Sequence, residues 1–281
     1  MTFPATINAF VVGGHSVALC DIGEDLQIDM DTISEQMMEE LDVLVPVHLM
    51  GYPADMKKIM ALKEKYGWTV VEDSAEAFGT EIDGKKVGTF GDFGTFSFYV
   101  SHNIAAGELG LVITNDDEAA KIMRSMKNHG RVGDNMKFLH GYVGSNYKTN
   151  EFCAALGLAS LEDSKETLAA RLDNAKFLHD FIKNENVEVF PVPDNASLLG
   201  LPIRCKDEET KNELVKRLND EGIETRDIFP NLANQDAYEE HFNPFDFPVA
   251  NKLEKEVFYV GIHHFLSLED LKKIVKVING E

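Results

Sequence analysis

Cysteine is scarce in this chain of 281 residues: Cys20, Cys153 and Cys205 lie far apart and form no C-x-x-C pair. That spacing excludes a disulfide framework and a self-contained four-thiolate cluster, offers no thiolate zinc site, and points to a reducing compartment. Positive charge is also in short supply, with 27 Lys+Arg against 48 Asp+Glu and a net charge of -21. Such a surface repels phosphate backbones and anionic headgroups, so neither nucleic acid nor a membrane is expected as a partner. No apolar run reaches membrane-span length, and the first residues carry no basic segment followed by an apolar core. The cytoplasm is the expected location. Repeats and low-complexity tracts are absent as well.

What is present is ample apolar content, 44%, arranged as alternating short runs and helical patterns. Residues 17–21, 43–47, 69–73, 94–99 and 110–114 read as strands. Residues 55–66 form an amphipathic helix closed by Gly67, and helices follow over 150–162 and 164–184. This order predicts an α/β fold with a mostly parallel sheet. The texture changes after Val187. Residues 201–204, which contain Pro202, read as an edge strand. Helices over 208–221 and 268–278 then complete a smaller α/β unit. The expected division is a large domain over residues 1–165 and a small one over 166–281.

Two segments carry the polar residues of interest. Glu72-Asp73-Ser74-Ala75-Glu76 sits where a buried strand ends, the place where open α/β sheets gather ligands. Asp73 there either faces a site or caps a following helix. Residues 91–103 run as a strand of small and aromatic residues into a turn with Ser97, Ser101, His102 and Asn103. Hydroxyls beside glycine turns suit a phosphate, and a turn histidine suits proton transfer. Taken alone, His102 reads more readily as an ordinary surface histidine than as a catalytic one. His241, His263 and His264 fit no ligand spacing, so no metal is predicted.

Several segments together resemble the DegT/DnrJ-type nucleotide-sugar aminotransferases, which are fold-type I pyridoxal-phosphate enzymes. They are residues 1–6, 46–51, 72–79, 88–92, 96–110, 144–147 and 222–226, in the family's order. The resemblance implies pyridoxal 5'-phosphate or pyridoxamine 5'-phosphate as cofactor, with Asp73 on the pyridine nitrogen. It implies Phe3 on the ring face, Glu76 near the ring hydroxyl where the family has glutamine, and Ser97 on the cofactor phosphate. Asn146 would reach the phosphate of a neighbouring subunit, which implies a homodimer. Arg226 matches a Thr-Arg element at the substrate entrance.

Two departures shape the expected activity. The family's Schiff-base lysine falls at His102, and an imidazole cannot form that covalent link to the cofactor aldehyde. A branch similar to GDP-4-keto-6-deoxymannose 3-dehydratase shares this replacement. The resemblance therefore implies a 3-dehydratase-type reaction on a nucleotide-linked 4-keto-6-deoxy sugar, with L-glutamate as amino donor and His102 as base. Ser101, Asn103 and Leu109 do not copy that branch closely. The alternatives are a glutamate-dependent sugar aminotransferase and a non-catalytic or partner-dependent member. Lys85 and Lys86 lie in a turn too distant to substitute for the lysine. The second departure is the start: the resemblance begins at the aromatic stacking segment. The strand and glycine-containing helix end that precede it in the family, and hold the cofactor phosphate, are expected to be missing.

Overall fold

The computed structural model describes residues 1–133 and 137–281. The first part contains α1 (Pro4–Val12), α2 (Glu35–Glu40), β1 (Val43–Leu44), α3 (Met56–Tyr66) and β2 (Thr69–Asp73). A short hairpin of β3 (Glu81–Ile82) and β4 (Lys85–Lys86) follows, then β5 (Phe93–Ser97), β6 (Gly110–Thr114) and α4 (Asp117–Met126). After these come α5 (Glu151–Glu162), α6 (Ser164–Phe181), β7 (Val187–Val189), β8 (Leu201–Cys205) and α7 (Glu208–Asp220). The chain ends with β9 (Thr225–Asp227), α8 (Pro248–Glu256), β10 (Val257–Val260) and α9 (Leu268–Asn279). Among the described residues no helix is long and apolar enough to cross a membrane.

Local chemistry explains the element ends. The Asp55 side chain accepts the Lys58 N–H at the start of α3, and Gly67, in the left-handed region at φ 79°, closes it. At α9, Ser267 and Asp270 satisfy each other's backbone donors in a capping box. In β2 burial alternates, so Val70 and Glu72 point to the buried face while Asp73 is half-buried.

Two four-stranded sheets organise the molecule. The first has the order β1-β2-β5-β6, with β1, β2 and β5 parallel and β6 antiparallel to β5. Val47 extends the β1 pairing by a bridge to Asp73, so residues 48–51 turn beside the end of β2. The second sheet, β7-β8-β10-β9, is antiparallel throughout. One core joins them: Leu49, Met50 and Tyr52 pack in the same buried cluster as Leu201, Ile203, Phe258 and Val260. Another, under α3, contains Leu44, Met56, Ile59, Trp68 and Val70.

The structure corrects three expectations. Residues 17–21 form no strand; only Ile22 makes a bridge, to Ile28. The stretch that should reach residue 184 as a helix stops at Phe181, because Asn184 turns away to donate to the Ile278 carbonyl at the end of α9. β8 is an interior strand rather than an edge. Its Pro202 is tolerated because its polar backbone faces the short strand β7, where its carbonyl accepts from Phe190 just past the end of the ladder.

The first sheet is drawn tight around its glycines. A Cβ at Gly94 would lie 2.0 Å from the Gly88 carbonyl oxygen, far inside contact distance. Gly94→Ala should therefore destabilise the fold by about 3 kcal/mol. Urea denaturation checks this, and a midpoint equal to wild type would show that the glycine turn can yield.

Candidate active site

The site is built where β2 ends. Asp73 follows the buried Glu72 and accepts two hydrogen bonds: the Thr6 hydroxyl donates to Oδ2 at 2.7 Å, and the Ala75 N–H donates to Oδ1 at 3.2 Å. Thr6 in turn lies 2.8 Å from the Thr2 hydroxyl. Residue 73 thus closes a turn, and no helix follows it to be capped. Among the described residues Asp73 joins no ion pair. A half-buried carboxylate held only by neutral donors is suited to meet a cation brought by a ligand.

Its neighbours in sequence live in different electrostatic conditions. Glu72 is fully buried and accepts from the backbone N–H groups of Gly88, Phe90 and Gly91 at 2.6–2.7 Å. His48 Nδ1 accepts from the Ala54 N–H, which assigns the ring proton to Nε2, 3.1 Å from Glu72 Oε2. Burial pushes Glu72 up, but the His48 bond and the Gly91 and Gly88 donors outweigh it and hold the carboxyl below its ordinary range. Glu76 is also buried and receives one backbone donor, the Met50 N–H, at 2.7 Å. That donor is aimed by an unusual turn: Met50 has φ 57° and Gly51 has φ 90°. Burial pushes the Glu76 carboxyl up to about 7, the Met50 bond opposes it, and the charge of Asp73 adds to the rise.

The second wall is the turn after β5. Asn103 Nδ2 donates to the carbonyl and hydroxyl oxygens of Ser197, both at 2.8 Å, and so ties the turn to the segment before β8. His102 is half-buried beside the edge of Tyr99, and its Nδ1 lies 3.4 Å from the Ser97 carbonyl oxygen. A carbonyl only accepts, so this weak bond puts the proton on Nδ1 and the lone pair on Nε2. Burial lowers the imidazole pKa, against the opposing pull of the Ser97 bond and the Asp73 charge. The ring is therefore neutral at physiological pH and able to take a proton.

The structure brings Asp73, Glu76 and His102 into one electrostatic neighbourhood, for each of the other two responds to Asp73. Phe3, with 56% of its surface exposed, lies at the start of α1 with its ring 5.5 Å from that of Phe229 at 47°. Among the described residues no aromatic ring stacks flat on it, so a planar ligand has a free face to occupy. Ser97 Oγ accepts from the Tyr99 N–H and keeps its own proton to donate. Asn146 lies apart on an exposed stretch, its backbone bridged to Asn128, with no side-chain bond to this group among the described residues. Arg226 pairs at the surface with Glu224. The unpaired carboxylate, the free aromatic face and the hydroxyl fit the ring and phosphate chemistry of a pyridoxal-type cofactor.

The sequence profile of the DegT/DnrJ/EryC1/StrS aminotransferase family matches residues 1–279. The chain belongs to this family. It is similar to GDP-perosamine synthase of Escherichia coli O157:H7, 32% identical over 260 residues that cover 90% of this chain and 69% of that protein. It is also similar to GDP-4-keto-6-deoxy-D-mannose 3-dehydratase of Yersinia pseudotuberculosis, 28% identical over 291 residues, 94% of this chain and 74% of the relative. Among solved structures, the E. coli GDP-4-keto-6-deoxy-D-mannose-3-dehydratase with bound hydrated PLP superposes with a TM-score of 0.88 at 25% identity. That match covers 99% of this chain and 76% of the solved one. The architecture is thus that of the pyridoxal-phosphate enzymes of the DegT family, as the sequence implies.

Sequence reasoning missed Thr6 and the clamp around Glu72. The second carried a signal: an acid on the inward face of an alternating strand must find donors. Thr6 falls in the resembling segment 1–6, but nothing there gave it a role, and its partner is 67 positions away.

Glu76→Gln tests the assigned protonation. A carboxyl whose folded pKa is raised stabilises the fold while protonated, and that contribution is lost as pH climbs from the ordinary carboxylate range through 7. The wild type should lose about 3 kcal/mol over this window, whereas Glu76→Gln keeps an acceptor for Met50 and stays level. Urea unfolding of both proteins near pH 5 and pH 8 reads the difference, and parallel pH responses would contradict the assignment.

Proposed function

We propose that this family member takes pyridoxal 5'-phosphate, or its pyridoxamine form, and acts in the cytoplasm on a nucleotide-linked 4-keto-6-deoxy sugar in a 3-dehydratase-type reaction. L-glutamate is the amino donor. The observation that carries this reading is His102. It is a neutral imidazole with its lone pair on Nε2, in the field of Asp73, at the position where the family's lysine amine would stand.

The cofactor, when bound, supplies an electron sink conjugated to the sugar carbon under attack. The chain supplies the rest. Asp73, aligned by Thr6, holds the proton on the ring nitrogen through its uncompensated negative charge. Phe3 covers one face of the ring and excludes water there. Ser97 donates its hydroxyl to the phosphate, and Glu76, a carboxyl that titrates at about 7, faces the ring hydroxyl. His102 takes a proton at Nε2 and returns it to the departing hydroxyl at carbon 3. Asn146, exposed on its own protomer, completes the phosphate contacts of a second copy in a homodimer. We place the division between a cofactor-binding unit and a smaller C-terminal unit at residues 165/166.

A second reading, amination of a nucleotide-linked keto sugar, is favoured by the family's description and by the similarity to a GDP-perosamine synthase. Two measurements separate them. With pyridoxamine phosphate, L-glutamate and GDP-4-keto-6-deoxymannose, the chain should yield a keto-3,6-dideoxy sugar with ammonia. An aminated sugar as sole product would reject the dehydratase reading. Borohydride treatment of the chain with pyridoxal phosphate should leave no covalent adduct by mass spectrometry, and His102→Lys should introduce one. His102→Asn should lower turnover by about 10²–10⁴-fold with cofactor binding preserved.

A further inference from the structure

Beyond His102 the turn opens into a cavity of about 770 Å³, lined also by Asn103, Thr167, Arg171 and His263. Such a volume suits a small organic ligand. Its most unusual wall is Arg171, on α6, with 7% of its surface exposed. Its Nη2 donates to the carbonyls of Leu198 and Leu199 at 3.1 and 2.6 Å, and Nε has no partner. Among the described residues no carboxylate pairs with it, although the chain has 48 acidic residues to 27 basic ones. The comparably buried Lys211 does have a carboxylate, Asp227 at 2.7 Å, and the partly buried Arg204 has two, Glu24 and Glu256. A buried cation left without a counter-charge is costly to keep.

The other groups lining the cavity fit an anionic guest. Burial lowers the pKa of His263, and the charge of Arg171 lowers it further, so the guanidinium's field reaches across the space. Asn103, whose Nδ2 is held by Ser197, fixes the wall of the cavity beside His102. The acids nearby do not neutralise Arg171: Glu224 pairs with Arg226, Asp270 serves the α9 cap, and Asp163 is exposed.

We infer that this cavity binds the oxyanion of a polar small molecule, with Arg171 as its counter-charge. Phosphate and carboxylate share this chemistry. Which of them it serves, the diphosphate of the sugar nucleotide or the carboxylate of the amino donor, rests on the proposed function; the oxyanion preference does not.

The test titrates the full chain with inorganic pyrophosphate, GDP and L-glutamate by calorimetry. Saturable binding of pyrophosphate and GDP assigns the phosphate, and binding of L-glutamate alone assigns the carboxylate. Thr167→Glu places a carboxylate one helical turn from Arg171. It should weaken the bound anion by about tenfold or more and raise the melting temperature by a few degrees. Thr167→Gln, matched in size and uncharged, should bind as wild type does. The absorbance titration with pyridoxamine phosphate should be the same in all three proteins, so a failed cofactor reading is seen separately. No saturable binding of any of the three anions, or equal affinity in Thr167→Glu and wild type, overturns the inference.

Discussion

Glu72 is the point on which the architecture of the site turns. Its buried carboxylate collects three backbone donors from residues 88–91, the turn that leads into β5, and a fourth bond from His48, at the end of the β1 line. Four donors on one ion offset the desolvation that would otherwise neutralise it. One side chain therefore fixes the spacing of both neighbours of β2. The end of β2, and with it Asp73, is placed by a charge that never meets solvent.

The same short segment carries three carboxyls in three conditions. Glu72 is ionised because donors surround it, and Glu76 is held near neutrality because it is buried with a single donor beside another acid. Asp73, between them and half-buried, is bonded to one hydroxyl and one amide. Environment rather than residue type separates a structural anion, an acid that titrates near neutral pH and a carboxylate left available to a ligand. Swapping the roles of 72 and 73 by a one-residue slip of β2 would place the unpaired charge in the core. Strand register is thus as much a part of the site as the side chains are.

How much of this the sequence disclosed follows from the range of the interactions. Local signals were read well: Gly67 as a helix stop, the strand at 69–73, the helices over α3, α5, α7 and α9. The order of strands and helices carried the fold class. Position-by-position resemblance supplied Asp73, Glu76 and His102, which the structure gathers, and Phe3 with a free ring face. Interactions between distant positions stayed hidden. Residues 17–21 look like a strand by composition, yet neither edge of the first sheet, β1 or β6, pairs with them. Pro202 suggests an edge by its missing donor, but the side on which that donor is missing depends on how far β7 extends. Thr6 to Asp73 and Arg171 to Leu198 are likewise contacts between segments that nothing in either one advertises.

Charge balance links His102 back to the clamp. A lysine at position 102 would bring a permanent cation toward Asp73 and partly neutralise it within the chain. The imidazole does not, because burial keeps it neutral while its Nδ1 proton is engaged by the Ser97 carbonyl. Asp73 then keeps its full charge for whatever cation a ligand presents, and Nε2 keeps its lone pair. The cost of exchanging the amine for an imidazole is the loss of a covalent tether. On the proposed reading, retention of a cofactor would depend on noncovalent contacts: the charge of Asp73, the face of Phe3 and the Ser97 hydroxyl. Asp73 is set by its buried neighbour Glu72 and by the Thr6 hydroxyl, and an untethered ring would be positioned only as well as the groups that hold it.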